Sequence, residues 1–212
     1  MSAVLEPGRV VEGVRIVQLG LSPYQPTLAA MREVTARRNP ETPDELWLLE
    51  HPPVYTLGLA ADPAHGPKPG GTIPVLQVER GGEITYHGPG QVVLYTLVDL
   101  ARRGIKVKQF VAMLEQAVID LLGGQAERKP RAPGIYVGGA KIAALGIRVS
   151  RGCAFHGLSL NVDMDLAPFS AINPCGFPGL PVTQTRDLGM TQGKEALGKK
   201  LAGILIGKLE HA

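Results

Sequence analysis

The chain has 212 residues, of which 44% are hydrophobic and 19% are charged, and its formal net charge is +3. This composition excludes an intrinsically disordered chain, and no apolar run is long enough to cross a bilayer. The basic residues are scattered, so the charge does not predict nucleic-acid binding. Because Glu6, Arg9 and Glu12 stand where a signal peptide would have an apolar core, we expect a soluble, cytoplasmic protein.

The first half of the chain alternates strand-like runs with one helix. Ser22-Pro23 is typical of a helix start, with the serine as N-cap and the proline in the first turn, and Asn39-Pro40 marks its end. A Gly/Pro-rich loop at 62–71 separates two groups of strands. The predicted elements are a helix from about 23 to 38 and strands at 15–19, 45–50, 54–57, 73–79 and 91–98.

The pattern of apolar residues in the second half of the chain predicts two amphipathic helices with strands between them. Apolar residues recur at helical spacing from Val107 to Leu122 and end at Gly123-Gly124. A second helix at 194–209 places five apolar residues on one face, and strands are predicted at 135–149 and 155–162. The order is neither regular βαβ nor purely β. We therefore expect an α/β (α+β) fold, one domain over 1–212, with a mixed, mainly antiparallel sheet and flanking helices.

A Gly-rich segment, 80–91, is the first candidate for a site. It reads RGGEITYHGPGQ and matches neither a phosphate loop nor a dinucleotide-binding turn. Its four glycines allow sharp bends and a close approach to a ligand, so two tight hairpin turns and a ligand-binding loop are both compatible with it.

Lys141 and Cys175 are the candidates for chemistry. Lys141 stands in the run GGAKIAALG, where it either extends to the surface or is a buried base that desolvation helps to lose its proton. Cys175 lies between proline and glycine in a predicted turn, as an accessible nucleophile would. The other cysteine, Cys153, begins a strand, and we assign it to packing. A disulfide or a zinc site is not expected from two cysteines without CxxC spacing.

Two histidines could pair with the thiol, although a lone histidine is more often structural. His87 lies in the Gly-rich segment and His156 begins the run HGLSLNV, in which alternate residues would share a strand face. The glycine after His156 leaves room for a ligand or for another backbone.

Four segments together resemble the lipoyl(octanoyl) transferases, which are octanoyl-[acyl carrier protein]:protein N-octanoyltransferases related to the biotin and lipoate protein ligases. The segments are 80–91, 139–143, 156–161 and 172–176, in this order. The resemblance implies a ligase-like fold and a catalytic pair, Cys175 and Lys141. It also implies a substrate pocket made of Arg80, Gly81, Gly82, Glu83, Ile84, Thr85, Tyr86, His87, Ala144, Leu145, Gly146, Gly157, Leu158 and Ser159.

The resemblance further implies the substrates. The donor is octanoyl-acyl carrier protein, and the acceptors are lysines on the lipoyl domains of 2-oxoacid dehydrogenase complexes and on the glycine cleavage H protein. The acyl group passes through a Cys175 thioester in lipoate biosynthesis, with no ATP, no other cofactor and no metal. We expect a monomer that binds neither nucleic acid nor membrane.

Three alternatives stay open at this stage. A lipoate or biotin protein ligase on the same fold would use ATP and would need no cysteine. A carrier-protein-binding module would leave Cys175 idle. A cysteine peptidase is disfavoured, because no Cys-Trp signature surrounds Cys175.

Overall fold

The computed structural model describes residues 10–11, 13–67, 70–130, 132–173 and 179–211. No helix among them is long and apolar enough to span a membrane. The strands are β1 Val10–Val11, β2 Val14–Leu21, β3 Asp44–Glu50, β4 Val54–Leu57, β5 Val75–Gln77, β6 Ile84–His87, β7 Gln91–Asp99, β8 Ala126–Lys129, β9 Ala132–Val137, β10 Ala140–Ser150 and β11 Cys153–Asn161. The helices are α1 Tyr24–Arg37, α2 Val107–Leu122 and α3 Lys194–Glu210.

Eight strands form a large sheet in the order β1-β2-β3-β7-β11-β10-β9-β8. Within the described residues, its only parallel pair is β2 with β3, and every other neighbouring pair is antiparallel. A second sheet has the order β5-β4-β6. The predicted fold, a mixed and mainly antiparallel sheet with helices packed on it, is therefore confirmed.

The central strand β7 is buried on both faces, and its side chains divide the core into two layers. Val92 and Leu94 point into the cluster that contains the apolar faces of α2 and α3. Val93 and Tyr95 point the opposite way, into the cluster that contains α1. This alternation follows from the two-residue period of a strand. The small sheet has its own cluster, in which Tyr55, Tyr86 and Phe169 pack together.

Two local predictions were wrong. Pro23 is the N-cap of α1 and provides no side-chain hydrogen bond, while Ser22 Oγ donates to the Leu19 carbonyl oxygen instead. The run predicted as one strand, 135–149, is a hairpin of β9 and β10, because Gly138 and Gly139 both have positive φ and form its turn. The short strand β8 was not predicted at all, since only four mostly polar residues form it.

Candidate active site

A cavity of about 230 Å³ lies where the small sheet faces the centre of the large sheet. Its walls come from β6, β7, β9, β10 and β11, from the first residue of α1, from Ala60 after β4 and from the turn before β6. Most residues of the expected substrate pocket line it, and so does Lys141. The lining residues from that expected set are Arg80, Gly82, Glu83, Ile84, Thr85, His87, Ala144, Leu145, Gly146, Gly157, Leu158 and Ser159.

Gly81 and Tyr86 belong to the expected pocket but do not line this cavity. The Gly81 N–H donates to the Ile147 carbonyl oxygen at 2.9 Å, which fixes the turn to β10. The Tyr86 ring lies on the opposite face of β6, where its centroid is 5.4 Å from that of Tyr55 and 5.5 Å from that of Phe169. The position of Tyr86 follows from strand geometry, since its neighbours Thr85 and His87 face the opposite side of β6.

The Arg80 guanidinium joins the Gly-rich turn to the small sheet. Its Nη2 donates to the Thr56 carbonyl oxygen at 2.6 Å and to Thr56 Oγ1 at 2.9 Å. The turn also lies so close to β10 that a Cβ on Gly146 would stand 2.6 Å from the Gly81 carbonyl oxygen. Arg80 is thus a buried, fixed cation beside the cavity, and Gly146 permits the backbone contact behind it.

Lys141 is buried, with 6% of its surface exposed, which agrees with the buried alternative and not with extension to the surface. Its Nζ donates to the Pro133 carbonyl oxygen at 2.8 Å and lies 5.8 Å from the centroid of the Tyr136 ring. Gly134, with φ +129°, leaves space for the lysine: a Cβ there would stand 2.5 Å from Lys141 Cε. β9 therefore orients the side chain that β10 carries.

The described residues on either side of Cys175 form backbone hydrogen bonds with distant parts of the chain. Cys175 lies outside the described residues. Before it, the Asn173 N–H donates to the His65 carbonyl oxygen at 2.9 Å. After it, the Pro181 carbonyl oxygen accepts from the Lys141 N–H at 2.8 Å, and the Thr183 N–H donates to the Lys141 carbonyl oxygen at 2.9 Å. The chain that follows the cysteine is thereby paired with the strand that carries the lysine.

His156 lines the cavity in an unusual backbone conformation, with φ +62°. It is 1% exposed, and neither ring nitrogen has a hydrogen-bonding partner among the described residues. Burial lowers the pKa of its imidazole to about 4, since an apolar environment disfavours the charged ring. Gly157 beside it is required by packing, because a Cβ there would stand 2.1 Å from the Leu94 carbonyl oxygen.

A cluster of aromatic and imidazole rings lies at one wall of the cavity. Tyr24, His87 and Tyr95 line the cavity and His51 does not, and the sequence analysis missed all of them except His87. His51 Nδ1 donates to the Ser22 carbonyl oxygen at 2.6 Å, so its Nε2 accepts from the Tyr95 hydroxyl at 2.7 Å. The Tyr24 ring lies 4.9 Å from the His51 ring and 6.1 Å from the His87 ring, measured between centroids. No local motif marks these residues, because they are separated by tens of positions and meet only through the sheet order.

Burial keeps the rings of this cluster uncharged at neutral pH. Desolvation lowers the pKa of His51 to about 4 and that of His87 to about 3, and it raises the pKa of Tyr24 to about 12. The cavity therefore combines neutral imidazole and phenol groups with the fixed cation of Arg80. Such a site can hold an uncharged acyl chain and still present hydrogen-bonding groups to its polar end.

The family model for the lipoyl protein ligase A/B catalytic domain matches residues 23–202. The chain belongs to this family. The match includes every strand that lines the cavity, as well as Lys141 and Cys175. The predicted relationship to the lipoate protein ligases is thus confirmed.

Curated relatives narrow the assignment. The octanoyltransferase of Dechloromonas aromatica is 54% identical over 199 residues, which is 92% of this chain and 97% of the relative. The octanoyltransferase of Thiobacillus denitrificans is 58% identical over 191 residues, 89% of this chain and 87% of the relative. At this level of identity, the predicted octanoyltransferase activity, and with it the acyltransferase class, is confirmed.

Solved structures agree on the fold. A lipoate-protein ligase A bound with ATP superposes with a TM-score of 0.74 at 17% identity, over 93% of this chain and 85% of the ligase. The biotin protein ligase of Aquifex aeolicus gives a TM-score of 0.52 at 9% identity, over 92% of this chain and 69% of the ligase. At such low identity these similarities show the fold and not the chemistry.

Proposed function

We propose that this chain transfers an octanoyl group from acyl carrier protein to a lysine of a lipoyl domain through a thioester on Cys175, with Lys141 as the base and without ATP. The acceptors we propose are the lipoyl domains of 2-oxoacid dehydrogenase complexes and the glycine cleavage H protein. One observation carries the proposal: Lys141 and three sequence segments far apart in the chain line the same cavity.

In the first half-reaction, the Cys175 thiolate attacks the carbonyl carbon of the octanoyl thioester. A new C–S bond forms to Cys175, and the C–S bond to the phosphopantetheine breaks. Lys141 accepts the Cys175 proton and returns it to the departing phosphopantetheine thiolate. Little free energy is needed, because one thioester replaces another.

In the second half-reaction, the ε-amine of the acceptor lysine attacks the acyl-enzyme. A C–N bond forms, the C–S bond to Cys175 breaks, and the amine proton passes through Lys141 to the thiolate. The amide is more stable than the thioester, so the reaction as written needs no nucleotide and no cofactor. The short contact between Lys141 Nζ and the Pro133 carbonyl oxygen fits this role, since it holds the amine in one direction.

The test is the intact mass of the protein after incubation with octanoyl-acyl carrier protein in the absence of ATP. We expect the wild type to gain one octanoyl group and to pass it to an added lipoyl domain. Cys175→Ser should form no thioester, whereas Cys153→Ser should behave as the wild type, because Cys153 is buried at the start of β11 and does not line the cavity.

Two outcomes would overturn the mechanism. An adduct that still forms in Cys175→Ala, which has no nucleophile at this position, would place the acyl group elsewhere. Modification of the lipoyl domain only when ATP and free octanoic acid are supplied would instead indicate a ligase, the activity named for the structural neighbour that binds ATP.

A further inference from the structure

The orientation of one buried side chain, Gln91, can be assigned without ambiguity. Its Nε2 donates to the Tyr86 carbonyl oxygen at 3.2 Å and to Asn161 Oδ1 at 2.9 Å. A backbone carbonyl can only accept, so the amide nitrogen must be the atom on that side. The remaining atom, Oε1, lies 2.7 Å from His87 Nδ1.

Asn161 confirms this orientation independently. Its Nδ2 donates to the Thr183 carbonyl oxygen at 3.0 Å, which again leaves only one assignment for the amide. Its Oδ1 is then the atom that faces Gln91, which must donate to it. Two backbone carbonyls, those of Tyr86 and Thr183, therefore fix both amides.

The amides in turn fix the tautomer of His87. Because Gln91 Oε1 can only accept, His87 Nδ1 carries the proton, and Nε2 of the neutral ring has a free lone pair. The ring lines the cavity, and the described residues offer Nε2 no hydrogen bond. His87, Gln91 and Asn161 are all more than nine-tenths buried.

We propose that Gln91 and Asn161 are positioning residues, which hold His87 Nε2 in the cavity as a hydrogen-bond acceptor for an N–H donor of a bound substrate. Two substrates carry such a donor: the amides of the phosphopantetheine arm and the amine of the acceptor lysine. The inference rests on the proposed function for the identity of those substrates. The tautomer itself does not depend on it.

The same chain of hydrogen bonds connects His87 with the proposed base. Thr183, which accepts from Asn161, donates its N–H to the Lys141 carbonyl oxygen at 2.9 Å. His87 is thereby oriented relative to the strand that carries Lys141 and to the segment that follows Cys175. A displacement of either amide would change the direction in which Nε2 points.

The charges around His87 support a neutral ring. The groups that face it are His51, whose ring centroid lies 5.7 Å away, Tyr24, Arg80 and His156, and Lys141 lines the same cavity. Burial lowers the pKa of His87 most, and His51, Arg80 and His156 lower it further, while the hydrogen bond to Gln91 raises it. The ring therefore accepts a hydrogen bond at neutral pH and does not donate one through Nε2.

The first test is nitrogen NMR of the full-length protein, with His87 assigned through the loss of its signals in His87→Asn. We expect the ring of His87 to carry its proton on Nδ1 at neutral pH. His51 is an internal reference, because the Ser22 carbonyl oxygen requires the same tautomer. A proton on Nε2 of His87 would overturn the proposal, whatever the activity of the sample.

The second test uses a matched pair of variants, Gln91→Glu and Asn161→Asp, which place one carboxylate at successive positions of the chain of hydrogen bonds. The carboxylate beside His87 in Gln91→Glu should raise the pKa of the imidazole, so activity should fall about tenfold as the pH drops through the new pKa and should recover at higher pH. Asn161→Asp should leave the tautomer unchanged. A uniform loss in Gln91→Glu, without a new pH dependence, would indicate a merely structural role.

The half-reactions distinguish the two N–H donors. In His87→Ala, acyl-enzyme formation that is about tenfold slower would show that Nε2 accepts from the phosphopantetheine arm. If only the transfer to the lipoyl domain is about tenfold slower, Nε2 accepts from the acceptor lysine. Equal rates to the wild type in both steps would refute a substrate contact. A wild type that forms no acyl-enzyme would refute the proposed function and leave the NMR result standing.

Discussion

Two neighbouring residues orient the side chain of Lys141. The Pro133 carbonyl oxygen accepts from its Nζ at 2.8 Å, and Gly134 provides the space that its aliphatic chain occupies. A glycine is required at position 134 for two reasons: φ +129° is unfavourable for other residues, and a Cβ at this position would clash with Lys141 Cε. The geometry of the base therefore depends on a residue that performs no chemistry.

Gly134→Ala tests this dependence. The new Cβ must displace Lys141, and we expect kcat to fall about a hundredfold, as for other small misplacements of a catalytic group. Gly139→Ala is the matched control: Gly139 also has positive φ, at +85°, but the nearest atom to its Cβ is Lys129 Nζ at 3.7 Å. Gly139→Ala should lose about 1 kcal/mol of unfolding free energy, and Gly134→Ala should lose more, because its Cβ would also stand 2.7 Å from the Ala143 carbonyl oxygen. Equal activities would show that Gly134 does not position the lysine.

The sequence predicted which segments come together better than it predicted the contacts between their side chains. The segments that contain Arg80, Lys141 and Gly157 were predicted to form one pocket, and the structure brings them to one cavity. Pro133 and Gly134 were missed, since a glycine within a strand pattern does not reveal which side chain it accommodates. Tyr86 was expected in the pocket but does not line the cavity, because a residue's place in a motif does not indicate which face of the strand it occupies.

At the scale of the elements, a buried carboxylate joins several segment ends. Asp44, the first residue of β3, is fully buried and accepts from Arg38, which follows α1, as well as from Arg102 at 2.7 Å and Arg103 at 2.6 Å. It also accepts from the Asp99 N–H at 2.8 Å, at the end of β7. One side chain thus connects α1, β3 and the loop between β7 and α2.

Asp44→Asn should destabilise the protein strongly. The substitution leaves the buried Arg38 guanidinium, together with the partly exposed Arg102 and Arg103, without a counter-charge. The loss of one partner of a buried ion pair costs about 3 to 5 kcal/mol of unfolding free energy. Urea unfolding at neutral pH measures the change. Asp163→Asn is the control, because Asp163 pairs with Arg186 on the surface, with both side chains more than half exposed, and its loss should be hardly detectable. Similar effects of the two substitutions would contradict the role of Asp44.

Element boundaries were predictable where the pattern was strong. The period of apolar residues placed α2 at 107–122, as observed, and placed α3 within one residue of its end. The hairpin of β9 and β10 was predicted as one strand, since the apolar run continues on both sides of Gly138-Gly139. The partners of the Asp44 carboxylate could not be predicted, because Arg102, Arg103 and the Asp99 N–H lie 58, 59 and 55 positions away in the chain.

At the scale of the whole molecule, the order of the strands brings three histidines together. His51 follows β3, His87 ends β6 and His156 lies in β11, yet the His51 and His87 ring centroids are 5.7 Å apart, and His156 lines the same cavity. The sequence predicted strands and a mixed sheet, but it could not predict their order, because pairing between distant strands is decided by tertiary packing. The convergence of the histidines follows from that order.

These histidines make the stability of the protein depend on pH. Burial lowers the pKa of His51 and His156 from 6.5 to about 4 and that of His87 to about 3. Below pH 6.5 the unfolded chain binds protons that the folded chain does not, so the stability present above that pH is lost as the pH falls towards 4. Each histidine should contribute about 1.4 kcal/mol per pH unit near pH 5.

Urea unfolding between pH 7.5 and pH 4.5 measures this slope, and His156→Asn isolates one contribution to it. Asparagine tolerates the left-handed backbone at this position, where φ is +62°, and does not titrate. We therefore expect the variant to fold and to lose stability on acidification less steeply than the wild type, by about 1.4 kcal/mol per pH unit. An unchanged slope would mean that His156 takes up its proton equally in the folded and unfolded chains, and the cavity wall would then be open to water and charge at pH 5.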